Sequence, residues 1–218
     1  MHCQYCYEKD TRIVSEKYKY YNIDAIISTA RKLYEQTKDE ILIHGGECLT
    51  IPKRDLERLL SFSYELTGHS GLQTNLTLLD DDHIEMFKKY KTSIGVSVDG
   101  PWPLNRGRWA GSEEKSIEIT EKVLANIGKL IKANLTPGVI IVLSKFNTTE
   151  EHLPRLKQFI LDLKEMGVVS GRLNFVECNN PAIQLTIEEA KTAYLELADL
   201  ILSEPGLLYQ PFRDIIDS

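Results

Sequence analysis

Short apolar runs alternate with amphipathic helical patterns along most of this 218-residue chain. The runs lie roughly 25 to 40 residues apart, a spacing typical of strand-helix-strand units whose strands are buried on both faces. This order predicts an α/β fold, a parallel sheet wound into a partial (β/α)6-type barrel, that is, an incomplete TIM barrel. The predicted strands are Glu40–His44, Gly71–Asn75, Thr92–Val98, Leu135–Leu143 and Gly171–Val176. Helical patterns follow Asn22, Pro52, Asp80, Ser112, Thr148 or Thr149, and Thr186.

The composition suits a single domain over residues 1–218, because 42% of the residues are hydrophobic. The net charge is −6 and the sequence has no cluster of basic residues, which argues against nucleic acid and anionic membranes as partners. We find neither a secretory leader nor an apolar run of about 18 residues, so we expect a cytoplasmic protein. Four cysteines are too few and too scattered for a disulfide framework.

The first seven residues contain two cysteines, Cys3 and Cys6, in a CxxC pattern. A short loop can direct both thiols at one centre, but zinc, a redox disulfide and an iron-sulfur cluster all use such a pair. Zinc needs two further ligands, and beyond the neighbouring His2 no second pair at zinc spacing exists. A redox role needs a thioredoxin-like context, and a cluster needs a third thiolate. The pattern alone leaves these alternatives open.

Polar and small residues gather at the predicted carboxyl ends of the strands, where β/α barrels carry their chemistry. Such residues suit a polar ligand with a ribose and an amino acid end: glycines let the backbone approach it, and a carboxylate can hold an ammonium group. Plain turns would explain either glycine-containing segment alone equally well. The segments are His44–Glu47, Thr74–Asn75, Ser97–Gly100, Ser144 and Glu177–Asn180.

Four motifs in order resemble those of radical S-adenosylmethionine (radical SAM) enzymes, in the branch of sulfatase maturases and SPASM or twitch peptide maturases. Residues 3–7 read C-Q-Y-C-Y and match CxYCY, the common ending of the family's CxxxCxxC loop. Residues 45–49 resemble the family's GGEPL. Residues 74–79 resemble TNGTLL, and residues 97–101 read S-V-D-G-P. The ordered set is much more specific than any single motif.

The resemblance implies that Cys3 and Cys6 bind a [4Fe-4S] cluster, with Tyr5 near the cluster and the adenine. From position alone, His44 at a predicted strand end and Arg108 in the loop over the barrel mouth are assigned to the substrate, and a structural role explains each equally well. The implied contacts to S-adenosylmethionine are Gly45, Gly46, Glu47, Asn75, Ser97, Asp99 and Ser144.

The implied chemistry is reductive cleavage of S-adenosylmethionine to a 5′-deoxyadenosyl radical, which abstracts hydrogen from a substrate. Within this branch the expected substrate is a peptide or protein side chain, and the expected reductant is a flavodoxin or ferredoxin. No nucleic acid or membrane partner is expected. Two alternatives stay open: a truncated, non-catalytic barrel that serves as a binding module, and a non-radical β/α-barrel enzyme with a structural CxxC.

The sequence also departs from the family pattern. Cys48 stands where proline is usual and Leu76 where glycine is usual. The first cysteine of a CxxxCxxC loop would fall two positions before Met1, and the first barrel strand is missing too. We therefore expect a core domain cut from a longer protein, with an auxiliary-cluster domain possible downstream. Cys48 and Cys178 are expected to be small buried residues, and His69, His83 and His152 to be solvated.

Overall fold

The computed structural model describes residues 2–8 and 21–216. Within them, six strands lie in one open sheet in the order of the sequence, which confirms the predicted α/β class and the partial barrel. The strands are β1 (Leu42–Ile43), β2 (Ser70–Thr74), β3 (Thr92–Ser97), β4 (Gly138–Leu143), β5 (Ser170–Phe175) and β6 (Leu208–Gln210).

Seven α-helices lie in the described ranges, and four of them start at capped residues: Asn22 and Ser112, which were predicted as caps, and Asp80 and Thr186, which were predicted as helix starts. The side chains of Asn22, Asp80, Ser112 and Thr186 each accept a hydrogen bond from a backbone N–H of the first turn. Two 3₁₀ helices also occur, Cys48–Thr50 and Leu104–Gly107. The α-helices are α1 (Ile23–Thr37), α2 (Lys53–Thr67), α3 (Asp81–Lys89), α4 (Glu113–Lys132), α5 (Leu153–Glu165), α6 (Ile187–Ser203) and α7 (Phe212–Ile216).

Two local expectations were wrong. Helix α5 begins at Leu153 rather than beside Thr149, because Thr149 bonds the ring of His152 and Pro154 lies in the first helical turn. His83 is buried rather than solvated, because its side chain lies on the inner face of α3, with Nδ1 2.7 Å from an Asp80 oxygen.

The segment Tyr7–Gly95 forms one compact unit. In it β1 and β2 are parallel, with Leu42 opposite Gly71. Its core contains fully buried side chains of α2, β2 and α3, namely Leu56, Leu60, Leu72 and Phe87. Helix α1 buries no residue fully, and its Leu33 stays 58% exposed.

The second compact unit comprises Met1–Cys6 and Val96–Ser218. Strands β4, β5 and β6 pair in parallel within it. Every second residue of β4 is buried, namely Val139, Ile141 and Leu143, and the residues between them are half-buried. The start of the chain thus belongs to the same compact unit as the end of β3 and the three strands after it.

Candidate functional site

The CxxC loop is bound by main-chain hydrogen bonds to the segment that follows β3. The N–H of His2 donates to the carbonyl of Trp109 at 2.6 Å, and that of Gln4 to the carbonyl of Gly107 at 2.8 Å. Within the loop, the N–H of Cys6 donates to the carbonyl of Cys3 at 3.2 Å, which closes a turn. Both thiols are free and half-buried. Two soft ligands therefore lie on one short, fixed turn.

Asp99, just after β3, is the acceptor around which this region is built. Its carboxylate accepts hydrogen bonds from the Tyr5 hydroxyl, from Nη2 of Arg108 at 2.8 Å and from the backbone N–H of Val142 at 2.9 Å. Asp99 and Arg108 are 2% and 7% exposed. Because two charges buried in this way must be paired, the ion pair fixes both side chains.

The charges here act on neighbouring groups. Burial raises the pKa of the Cys3 thiol, and the Arg108 guanidinium partly offsets that rise. Burial also raises the pKa of Tyr5 well above its usual value, so its hydroxyl stays protonated and donates to Asp99. Burial alone would lower the pKa of Arg108, but Asp99 raises it, and the guanidinium stays charged.

Two asparagines that the sequence analysis missed complete the surroundings of Asp99. The side chain of Asn105 accepts from the Asp99 N–H at 2.9 Å. Asn147 donates to the carbonyls of Asp99 and Val142 and accepts from the N–H of Ser144 at 2.9 Å. For Asn147 the available signal was an asparagine in the turn that follows an apolar strand, whereas Asn105 lies in the 3₁₀ helix Leu104–Gly107 and offered no such signal.

The predicted cofactor residues of this unit differ in accessibility. Ser97 is half-buried, whereas Ser144 is 1% exposed and its hydroxyl accepts from the N–H of Phe146 at 3.3 Å. Arg108, predicted to face the substrate, lies buried against Asp99 and 5.7 Å from the ring of Tyr5. The roles of all three in binding remain predictions.

Within Tyr7–Gly95, Glu47 organises the loop after β1. Its carboxylate accepts from the Thr74 hydroxyl at 2.6 Å, from the N–H of Asn75 at 2.7 Å and from the N–H of Leu49 at 3.1 Å. The first two bonds tie the loop after β1 to the end of β2, and the third caps the 3₁₀ helix Cys48–Thr50. They also place a half-buried negative charge at the carboxyl edge of the sheet.

The two glycines before Glu47 have no side chains, which leaves the backbone at this position accessible to a ligand. Gly45 and Gly46 have φ of +95° and +53°, the left-handed region that glycine adopts without strain, and a Cβ on Gly46 would meet nothing within 4 Å. The N–H of Gly46 donates to the carboxylate of Glu8 at 2.7 Å, so this backbone already binds a carboxylate. His44, the other predicted substrate residue, is exposed.

The two residues that depart from the family pattern, Leu76 and Cys48, are both buried. Leu76 has φ of +59°, the left-handed region that a glycine adopts freely, and its side chain is completely buried. Cys48 is 5% exposed, and its thiol donates to the carbonyl of Gln73 at 3.2 Å. This low exposure confirms Cys48 as a small buried residue, and burial raises the pKa of its thiol to about 12. Cys178, by contrast, is half-buried.

Among the described residues, no three His, Cys, Asp or Glu side chains lie close enough together to hold a metal ion. Cys3 and Cys6 nevertheless fit an iron-sulfur cluster as two of its thiolate ligands, because both thiols are free and both residues lie on one hydrogen-bonded turn. The family model described as the radical SAM superfamily matches residues 1–168. The chain belongs to the radical SAM superfamily. The resemblance of its four motifs is thereby confirmed.

A curated relative of this radical SAM chain is the serine-type anaerobic sulfatase-maturating enzyme of Bacteroides thetaiotaomicron. The two are 29% identical over 154 residues, which is 66% of this chain and 37% of the relative. The chain therefore spans well under half the length of that protein.

Solved structures share the fold. Native anSMEcpe with bound AdoMet and Cp18Cys peptide matches 96% of this chain and 59% of its own, with a TM-score of 0.75 and 16% identity. Streptococcus suis SuiB bound to precursor peptide SuiA matches 84% of this chain and 42% of its own, with a TM-score of 0.61 and 15% identity. At such identities the likeness shows the fold alone. No helix in the described ranges is long and apolar enough to span a membrane.

Proposed function

We propose that this chain is the catalytic core of a radical SAM enzyme that modifies a peptide or protein side chain. The observation that carries the proposal is the family match over residues 1–168, which includes a CxxC loop whose two thiols are free and fixed on a turn. Thiolates are the ligands of iron-sulfur clusters, so Cys3 and Cys6 would hold a [4Fe-4S] cluster together with a third thiolate.

The edge formed by the ends of β1 and β2 would hold the amino acid end of S-adenosylmethionine. Glu47 provides a carboxylate for an ammonium group, and the open backbone of Gly45 and Gly46 provides main-chain contacts. The N–H of Gly46, now bonded to Glu8, is of the right chemistry for the cofactor's carboxylate. Asn75, Ser97 and Ser144 remain candidate contacts to the rest of the cofactor.

When bound, the cluster and S-adenosylmethionine supply a 5′-deoxyadenosyl radical that abstracts hydrogen from the substrate. The chain's own residues orient these groups: the turn fixes the two thiols, and Glu47 presents its charge. The electron would come from a flavodoxin or ferredoxin.

A peptide or protein substrate is supported by the relatives rather than by the fold. The curated relative matures sulfatases, and the structures of anSMEcpe and SuiB hold peptides. The exposed His44, at the end of β1, is the residue of this edge that we assign to substrate contact.

Anaerobic iron-sulfur reconstitution of the full-length protein tests the proposal. After reduction we expect a [4Fe-4S] EPR signal whose shape changes when S-adenosylmethionine is added. Cys6→Ala should abolish that signal, whereas Cys178→Ala, a matched change of another half-buried cysteine, should retain it. A cofactor-sensitive signal that survives in Cys6→Ala would contradict the assignment. If the wild type gives no such signal, the non-catalytic binding module becomes the better reading.

A further inference from the structure

The buried carboxylate of Asp99 is fully engaged by protein groups. One oxygen accepts from Arg108 and from the N–H of Val142, and the other accepts from the Tyr5 hydroxyl. A carboxylate that is 2% exposed and already accepts three hydrogen bonds has little capacity left for a ligand. Its partners therefore indicate its role better than its place at a strand end does.

Through Tyr5, Asp99 holds the side chain at the centre of the CxxC loop. The Tyr5 ring packs on Gly107 so closely that a Cβ there would lie 2.6 Å from a ring carbon. The ring is thus fixed at one end by a hydrogen bond to a charged acceptor and along its face by the backbone. Bonds to a charged acceptor are about twice as strong as neutral ones.

Through Arg108, Asp99 holds the backbone on which the loop lies. Arg108 is the residue between Gly107 and Trp109, whose carbonyls accept the two main-chain hydrogen bonds of the loop. The contact of the Arg108 guanidinium with Asp99 therefore anchors the backbone segment that carries both carbonyls. The same carboxylate acts on the loop from two sides, through the Tyr5 side chain and through the 107–109 backbone.

We infer that Asp99 is a positioning residue that keeps the Cys3–Cys6 loop folded for cluster binding, rather than a ligand of the cofactor. The loop conformation is then set by the protein before iron arrives, which reduces the entropy lost when the cluster binds. The inference rests on the proposed function for the identity of the group that the loop receives. The folding of the loop itself can be measured without that group.

Hydrogen exchange of residues 2–6 in iron-free protein tests the loop directly. Tyr5→Phe keeps the ring on Gly107 but removes the hydroxyl that donates to Asp99, and we expect the loop amides to lose protection about tenfold. Tyr209→Phe is the matched control, because the Tyr209 hydroxyl is buried and has no hydrogen-bond partner within the described ranges. It should leave exchange of the loop unchanged.

Two substitutions at Asp99 separate positioning from general stability. Both variants remove the counter-charge of Arg108, but Asp99→Asn retains one acceptor oxygen and should lose less protection than Asp99→Ala, which also removes every hydrogen-bond acceptor of the side chain. If Asp99 were merely structural, Tyr5→Phe would not change exchange of the loop, since it leaves the Asp99–Arg108 pair intact. Unchanged protection in folded Tyr5→Phe and Asp99→Asn proteins would overturn the inference, even if the alanine variant fails to fold.

The cluster provides the second readout. In reconstituted full-length protein, Tyr5→Phe and Asp99→Asn should release iron to a chelator about 10 to 100 times faster than wild type, the range typical of groups that orient metal ligands. They should also change the EPR signal of the reduced cluster, whereas Tyr209→Phe should do neither. Release rates equal to wild type would overturn the inference. Absence of iron from the wild type would instead count against the proposed function and leave the exchange result standing.

Discussion

Gly107→Ala offers a sharp test of the packing between the CxxC loop and the segment after β3. The added Cβ would lie 2.6 Å from a ring carbon of Tyr5 and 2.9 Å from a ring carbon of Phe146. Both rings are confined, Tyr5 by Asp99 and Phe146 by the Arg106 guanidinium 4.9 Å from its centroid. Overpacking of this kind costs about 1–3 kcal/mol of unfolding free energy.

Gly128→Ala is the matched control for that substitution. Gly128 lies within α4, and a Cβ there would meet nothing within 4 Å, so the change should stabilise the helix by about 0.5–1 kcal/mol. The two variants should then differ by about 1.5–4 kcal/mol. Urea unfolding of iron-free protein measures this difference, and at a slope of about 2 kcal/mol/M the midpoints should differ by about 0.8–2 M. Equal midpoints would refute the packing of Tyr5 on Gly107.

Three further outcomes are expected in the other compact unit. Glu47→Ala should weaken binding of S-adenosylmethionine measured by calorimetry in cluster-loaded protein; an unchanged affinity would remove Glu47 from the cofactor site. Lys53 lowers the pKa of Asp80 to about 2, so the pair stabilises the fold above a pH of about 4, and this stabilisation is lost as the pH falls toward 2. Asp80→Asn keeps the helix cap but removes the charge. In urea unfolding, its free energy of unfolding should equal that of wild type near pH 2 and lie below it at pH 7. Cys48, with its pKa raised to about 12 by burial, should resist iodoacetamide in native protein at pH 8, and rapid labelling found by mass spectrometry would contradict its burial.

Strands and helices could be predicted where apolar residues recur at a regular spacing over a long segment. The caps at Asn22, Asp80, Ser112 and Thr186 marked helix starts correctly, because each side chain bonds its own first turn. Strand β6 could not be found, since three residues between Gly206 and Pro211 show no period. Local patterns thus revealed elements whose stabilising contacts are themselves local.

The site could be predicted as residue types at strand ends but not as a hydrogen-bond network. The sequence placed Asp99 and Tyr5 in the same region through separate motifs, yet nothing in it shows that one bonds the other across 94 positions. Arg108 was assigned to the substrate because it lies in the loop over the barrel mouth, whereas its burial depends on its partner Asp99, which sequence spacing does not reveal. Such pairings arise only when the chain is folded.

The main-chain bonds at His2 and Gln4 have a consequence for which sequences this loop can tolerate. Both residues are exposed, and each is held by its backbone N–H, a group that every amino acid except proline carries. A library randomised at these two positions should therefore return many functional sequences depleted in proline. Randomising Tyr5 should return few, because only its own ring and hydroxyl together reach Gly107 and Asp99. Of the two positions between the cysteines, position 4 should therefore tolerate most residues, whereas position 5 should not.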